Sequence, residues 1–185
     1  MSAPSPWVVR FAPLVPGGEV LDLACGGGRH ARHLAALGHP VLALDRDAQA
    51  LALAAGPGIT TVEADLEVAG AAWPFGAGRF AGIVVTNYLH RPRLAQLAAS
   101  LRPDGVLIYE TFAIGNEAFG KPSNPDFLLA RGELLAFAHQ AGLRVIAFED
   151  GRADGPKHGL KPAMLQRLCA CGPNFPANNA MLGPV

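Results

Sequence analysis

Between residues 19 and 112, short apolar runs alternate with segments of helical period, and glycine or proline marks almost every junction. No other feature narrows the fold so far. Glu19 to Leu23 reads as a strand, and Gly26-Gly27-Gly28 turns the chain. Arg29 to Leu37 reads as a helix with Ala31, Leu34 and Ala35 on one face, stopped by Gly38. Val41 to Leu44 is a second strand, and Asp47 caps an alanine-rich helix running to Ala55. Gly56-Pro57-Gly58 breaks that helix ahead of a third strand, Ile59 to Ala64. Phe80 to Thr86 is continuously apolar, the pattern of a strand buried on both faces. Pro92 to Leu101 is helical, Pro103-Asp104-Gly105 is a turn, and Val106 to Thr111 is a fifth strand. Strands and helices that alternate in this way imply a parallel sheet covered on both sides, an α/β class.

The rhythm then changes. Residues 112–131 form a long connection, of the length that is usually functional or disordered. A helix from Gly132 to Ala141 follows, and two further strands, Arg144 to Glu149 and Met164 to Ala170, flank a Gly/Pro/Lys-rich loop. Ahead of everything, Ser5-Pro6 reads as N-cap and first helical position of a lead-in helix from Trp7 to Leu14, closed by Gly17-Gly18. The 185 residues suit one domain, residues 1–172 including the 1–17 lead-in, with a loose tail over 173–185.

Composition excludes several classes. Half the residues are hydrophobic and 16% are charged, which is a globular balance and not a disordered one. Fifteen basic and fifteen acidic residues cancel, so a dedicated nucleic-acid binder is not favoured. The opening MSAPSPWVVRF lacks a signal-peptide pattern, and no apolar run reaches membrane-spanning length, so a cytoplasmic protein without a membrane partner is expected. Of three cysteines, Cys169 and Cys171 form C-x-C. With His158 as the only nearby further ligand, buried reduced thiols are expected there and no metal site.

Three carboxylates carry the functional signal. Asp22 ends the first strand, Asp45 follows the second and Asp65 the third. In an open parallel sheet, ligands bind beyond the carboxyl ends of the strands, so these acids share one rim of one crevice. The loop Ala24-Cys25-Gly26-Gly27-Gly28 lets a ligand approach the backbone, and the helix starting at Arg29 aims free N–H groups at it. The glycines alone are ambiguous. They also scan as G-x-G-x-x-A (Gly26, Gly28, Ala31), with Asp45 as the ribose acid of a nicotinamide-dependent oxidoreductase. Asp22 separates the two readings, because its charge repels a pyrophosphate but attracts an ammonium. A ligand with ammonium and carboxylate groups, a ribose diol and an exocyclic base amine is implied, and S-adenosyl-L-methionine fits that description.

The stretch VLDLACGGGRHARHLAALGHPVLALDRD resembles the first two motifs of class I S-adenosylmethionine-dependent methyltransferases, most closely their small bacterial, tellurite-resistance-like branch. EADLE (63–67), FAGIVVTNYLHRP (80–92) and LRPDGVLIYETF (101–112) match later motifs in order. The resemblance implies a single-domain, Rossmann-like sheet of seven strands in the order 3-2-1-4-5-7-6, the last antiparallel, with helices on both faces. It further implies that Asp22 and Gly26, Gly27 and Gly28 hold the methionine moiety and Asp45 the ribose hydroxyls. Asp65 and Leu66 would contact adenine, and Asn87 would sit near the sulfonium. Ala24, where the family more often has glycine, and Arg29, His30 and Arg46 complete the expected cofactor set. Ala24 is expected to tighten the loop without loss of binding.

Methyl transfer needs a nucleophile in line with the S–CH3 bond, so positioning supplies much of the acceleration and a base is needed only for a protonated acceptor. The expected catalytic residues lie at the rims of the fourth and fifth strands. His90 could remove a proton or simply start a helix. Tyr88 could orient the acceptor or pack against the cofactor. Glu110 could bind a cationic acceptor, act as base or be a surface acid. FAIGNEAFGKPSNPDFLL (112–129) is a candidate lid or a packed surface loop, and Trp7 covers the cofactor cleft or the core. Arg32 and His33 read as a solvated face. The expected substrate is a small molecule, with oxygen, nitrogen, sulfur and metalloid acceptors all open. Methylation of a protein or RNA through a partner subunit, and cofactor binding without turnover, are the other outcomes.

Overall fold

The computed structural model describes residues 2–155, 160–176 and 178. Its centre is set by three strands with almost no exposed residue, β1 (Val20–Leu23), β2 (Val41–Asp45) and β4 (Phe80–Thr86). A strand hidden on both faces can be apolar throughout, and these are, apart from Asp22, Asp45 and Thr86 at or near their C-terminal ends. Around them stand β3 (Ile59–Glu63), β5 (Leu101–Phe112), β6 (Arg144–Gly155) and β7 (Leu160–Cys171), in the order β3-β2-β1-β4-β5-β7-β6. The first five pair in parallel, whereas β7 runs antiparallel to both β5 and β6. Topology and orientation match the sequence expectation.

Because successive strand residues point to opposite faces, the sheet feeds two cores. On one face Val20, Val41, Val84 and Ile108 meet α1 (Pro6–Phe11), α2 (Arg29–Ala36) and α3 (Ala48–Ala54) through Trp7, Phe11, Leu34 and Leu51. On the other, Leu21, Ile83, Val85 and Leu107 meet α4 (Leu94–Ser100) and α5 (Glu133–Gln140) through Leu97, Leu134 and Phe137. Trp7 belongs to the first core, with its indole Nε1 donating to the Leu168 carbonyl at 3.2 Å, and does not cover the cofactor cleft. No described helix is long and apolar enough to cross a membrane.

Four expectations need correction. The Pro103-Asp104-Gly105 turn lies inside β5, where residues 102–105 bulge out between the pairs Phe80↔Leu101 and Gly82↔Val106. A bulge keeps the extended path while swallowing the extra residues. The Gly172 amide donates to the Gly105 carbonyl beside this bulge, and a Cβ on Gly172 would collide with the Pro103 carbonyl. Second, the last two strands form a longer hairpin than expected, because backbone pairing continues outward to Gly155↔Leu160. Third, the tail is packed where it begins: Phe175 is buried under the Arg144 guanidinium, and the Asn174 amide donates to Pro103 O. Fourth, Arg32 is not a free surface charge, since its Nη1 donates to the Leu53 carbonyl, and His33 Nε2 is buried.

Candidate functional site

The C-terminal ends of β1, β2 and β4 converge on one rim, and a cleft of about 260 Å³ opens there. Ala24, Asp45, Arg46, Asp65, Leu66, Asn87 and Tyr88 line it, so seven of the expected residues share one cavity. Two wider clefts, of about 710 and 670 Å³, lie by α1 with residues 174–176 and Asn178 and between α4 and α5, and neither gathers this acidic rim.

Local backbone rules build the rim. β1 ends in a tight reversal in which Ala24 adopts φ 53, a left-handed conformation that glycine takes freely and alanine does not. Gly26 follows at φ 51 with open space where a Cβ would stand. Gly28, at φ 74, is required for another reason: its Cβ would lie 2.6 Å from Ala54 Cβ, so the residue lets α2 pack closely on α3. Asn87 turns the chain after β4 at φ 55, a conformation asparagine tolerates better than most residues.

Asp45 organises the glycine loop. Its Oδ2 accepts from the Gly26 amide at 2.7 Å and its Oδ1 from the Asp47 amide at 3.0 Å. Across the cleft Asp65 Oδ1 accepts from the Glu67 amide, and Arg46 reaches over towards Asp65 and Glu67 at 3.9 and 3.6 Å. These exposed pairs are weak and leave the arginine free to move with a ligand. Leu66 supplies a buried apolar wall.

Asp22 sits beneath the loop and is 1% exposed. Its Oδ2 accepts from the Ala31 amide at 2.8 Å, whereas Oδ1 is buried with no partner. Burial pushes its carboxyl up to about 7, partly offset by the Ala31 amide and the Arg29 charge. An ionised oxygen left bare in the interior is costly, and a ligand ammonium would relieve it. Beside it, the first-turn amides of α2, Arg29 and His30, have no intrahelical acceptor and suit a carboxylate. The residues present therefore fit an amino-acid end over Asp22 and α2, with a ribose and base in the cleft.

His30 itself turns inward. It is 2% exposed; its Nε2 accepts from the Ser5 amide at 3.1 Å, and Nδ1 lies 3.3 Å from Thr86 Oγ1. Burial, with the nearby Arg29 charge, holds it down at about 3, so the ring is neutral. Tyr88 is half-buried and pushed up to about 12 by burial and by Glu67 and Asp65. Its phenol therefore stays protonated, suited to donating a hydrogen bond and not to taking a proton. His90 lies just past the cleft lining, before the 3-10 turn Arg91–Arg93.

Glu110 departs most from expectation. Only 6% exposed, it accepts from Ser5 Oγ on Oε1 and from Arg167 on Oε2, and Arg167 also pairs with Glu149. Both oxygens are engaged and the charge is matched, which is a structural anchor and a poor free base. Ser5, Thr86 and Arg167, the partners of His30 and Glu110, carry no site signal in the sequence. Ser5 carried only a capping signal, and Arg167 comes from a strand far along the chain.

The segment 112–131 is tied to its surroundings at several points, although most of its residues are exposed. Arg91 binds Glu133 through two nitrogens and donates to the carbonyls of Asp126 and Leu128, while buried Asn116 joins Pro122 O to the Met164 amide. Cys169 and Cys171 are buried free thiols, burial pushing Cys169 up to about 12. Their suggested partner His158 lies outside the described residues. Among the described residues, no three metal-capable side chains stand together.

Comparison with known proteins agrees with this geometry. The model of the methyltransferase domain family matches residues 20–105. No curated protein matches the chain. Among solved structures, TehB from Haemophilus influenzae superposes with a TM-score of 0.73 at 20% identity, covering 93% of this chain and 63% of TehB. The chain thus spans less than two thirds of TehB. An S-adenosylmethionine-dependent methyltransferase from Mesorhizobium loti gives 0.66 at 20% identity, covering 87% and 95% of the two chains. Geranyl diphosphate C-methyltransferase from Streptomyces coelicolor gives 0.64 at 13% identity, covering 89% and 78%. Residues 20–105 thus match a methyltransferase domain, and the sheet order and the superpositions give the chain the fold of the class I methyltransferases.

Proposed function

We propose that this protein transfers the methyl group of S-adenosylmethionine to a small-molecule acceptor at the rims of β4 and β5. The observation that carries the reading is the bare, buried Oδ1 of Asp22, on the strand whose end opens into a cleft lined by Asp45 and Asp65. A nicotinamide dinucleotide would bring phosphates towards that carboxylate, and nothing about Asp65 would serve it. When bound, the cofactor supplies an electrophilic methyl on a sulfonium. Asp22 and the first turn of α2 hold the amino-acid end, Asp45 the ribose diol, and Asp65 with Leu66 the base. Asn87 and Tyr88, at the turn after β4, border the reacting end, where the Tyr88 phenol orients an acceptor or packs on the cofactor. His90 is the available base for an acceptor that must lose a proton, because Glu110 is committed to Ser5 and Arg167.

The likeness to TehB supports a place in the tellurite-resistance-like branch, but fold does not fix an acceptor. Calorimetric titration with S-adenosylmethionine, S-adenosylhomocysteine and NADH tests the cofactor. The first two are expected to bind, with affinity in the Asp45→Ala variant reduced at least tenfold by the lost charge-assisted contacts, roughly 1.4 kcal/mol or more. Binding of NADH alone would refute the reading.

A further inference from the structure

Thr86, His30, Ser5, Glu110 and Arg167 form a hydrogen-bonded chain across the rim, and Ser5, at its middle, is not a lining residue of the cleft. We infer that Ser5 is a positioning residue for methyl transfer: it ties the cofactor-holding end of α2 to the ends of β4 and β5. This rests on the function proposed above.

The direction of each hydrogen bond follows from the donors. The Ser5 backbone N–H donates to His30 Nε2, so the proton of this neutral ring is on Nδ1, which faces Thr86 Oγ1. The Ser5 hydroxyl accepts from the Trp7 amide at 3.2 Å and donates to Glu110 Oε1 at 2.8 Å. Arg167 holds the other oxygen of Glu110. Donation therefore runs outward from Ser5 on both sides, through His30 towards Thr86 and directly to Glu110, which also accepts from Arg167. His30 is the second residue of α2, next to the amides expected to take the ligand carboxylate. Thr86 immediately precedes Asn87, and Glu110 lies opposite Thr86 in the parallel register of β4 and β5. Ser5, His30, Thr86 and Glu110 are buried and only Arg167 is partly exposed, and where the network is buried a lost member is not readily replaced by water. Capping a six-residue helix needs only the contact to the Trp7 amide. The links to His30 and Glu110 go beyond that need, and they join two walls of one site.

The test uses full-length protein, S-adenosylhomocysteine as probe, calorimetry for affinity and melting temperature for stability. Ser5→Ala deletes the hydroxyl, Ser5→Thr keeps it, and Thr86→Val cuts the far end of the chain without touching α1. Phe11→Leu is the control, since it loosens α1 in the core away from the chain. Ser5→Ala and Thr86→Val are expected to weaken binding by about fivefold to tenfold, the scale of one lost hydrogen bond to a charged or buried partner. Ser5→Thr should bind like wild type, and Phe11→Leu should bind like wild type despite a lower melting temperature. Unchanged affinity in Ser5→Ala overturns the inference, as does weakening in Phe11→Leu that scales with its loss of stability. Wild-type protein that does not bind the probe overturns the proposed function as well, so the two failures are distinguishable.

Discussion

Replacing Asp22 with asparagine should stabilise the ligand-free protein and impair it as a binder. Asp22 is held ionisable in the interior with one oxygen bare. Moving its carboxyl from the ordinary 3.8 to about 7 corresponds to about 4 kcal/mol forgone by the native state above neutral pH, at 1.36 kcal/mol per tenfold change. The sign follows from proton counting. Between the two values the native chain binds more protons than the unfolded chain, so this group makes the protein more stable as pH falls through about 7 towards 4. Asparagine keeps an acceptor for the Ala31 amide but buries an NH2 in place of Oδ1, so we expect about half of the penalty back, roughly 2 kcal/mol or 4–8 °C in melting temperature at pH 7.5. Affinity for S-adenosylhomocysteine runs the opposite way. Its ammonium needs the ionised carboxylate, so wild-type binding should tighten as pH rises through about 7, and Asp22→Asn should bind weakly with that dependence gone. His30 supplies an internal check. Its folded value of about 3 lies below the ordinary 6.5, so it contributes stability above 6.5 that is lost as pH falls towards 3. Asp22 opposes that trend in wild type, and the asparagine variant should expose it as steeper acid lability. Thermal melts across pH 5–8 with parallel titrations read all of this. A lower melting temperature for ligand-free Asp22→Asn at pH 7.5, or undiminished binding, would refute the reasoning.

Three further outcomes rest on geometry alone. Gly28→Ala drives a Cβ to 2.6 Å from Ala54 at a positive φ and should cost roughly 2–4 kcal/mol in denaturant unfolding; a loss under ~1 kcal/mol would mean that α2 and α3 are not packed as described. Ala24→Gly relieves the left-handed residue at φ 53 but loosens the unfolded chain, so stability should change by less than about 1 kcal/mol in either direction, which chemical denaturation will read. Arg91→Ala removes a partly exposed ion pair and two carbonyl contacts worth about 1 kcal/mol after screening. Amide exchange should then speed up in residues 113–130 while β1 and β4 stay protected, and uniform protection would show that Arg91 does not hold the segment.

The elements most legible in the sequence are those governed by local rules. Phe80 to Thr86 has the same limits in sequence and structure, because a strand covered on both sides needs no partner-specific information to be apolar. Asp47 caps α3 through its neighbours' amides, a contact contained within four residues. The cleft was likewise readable, since Asp45, Asp65 and Asn87 each follow a strand and parallel strands bring their ends to one edge. What escaped depends on pairing across long separations. The bulge at residues 102–105 looks like an ordinary Pro-Asp-Gly turn until β4 and the approach of Gly172 keep that stretch in the sheet. Glu110 has the pattern of a rim carboxylate available for chemistry. Its two engagements come from Ser5, 105 residues earlier, and Arg167, 57 residues later. No window along the chain contains that neutralisation, because it arises only when the lead-in segment and the antiparallel β7 are laid against β5. An acid in a motif therefore signals chemistry only as far as its counter-charge is known: the fold leaves one oxygen of Asp22 bare and engages both oxygens of Glu110.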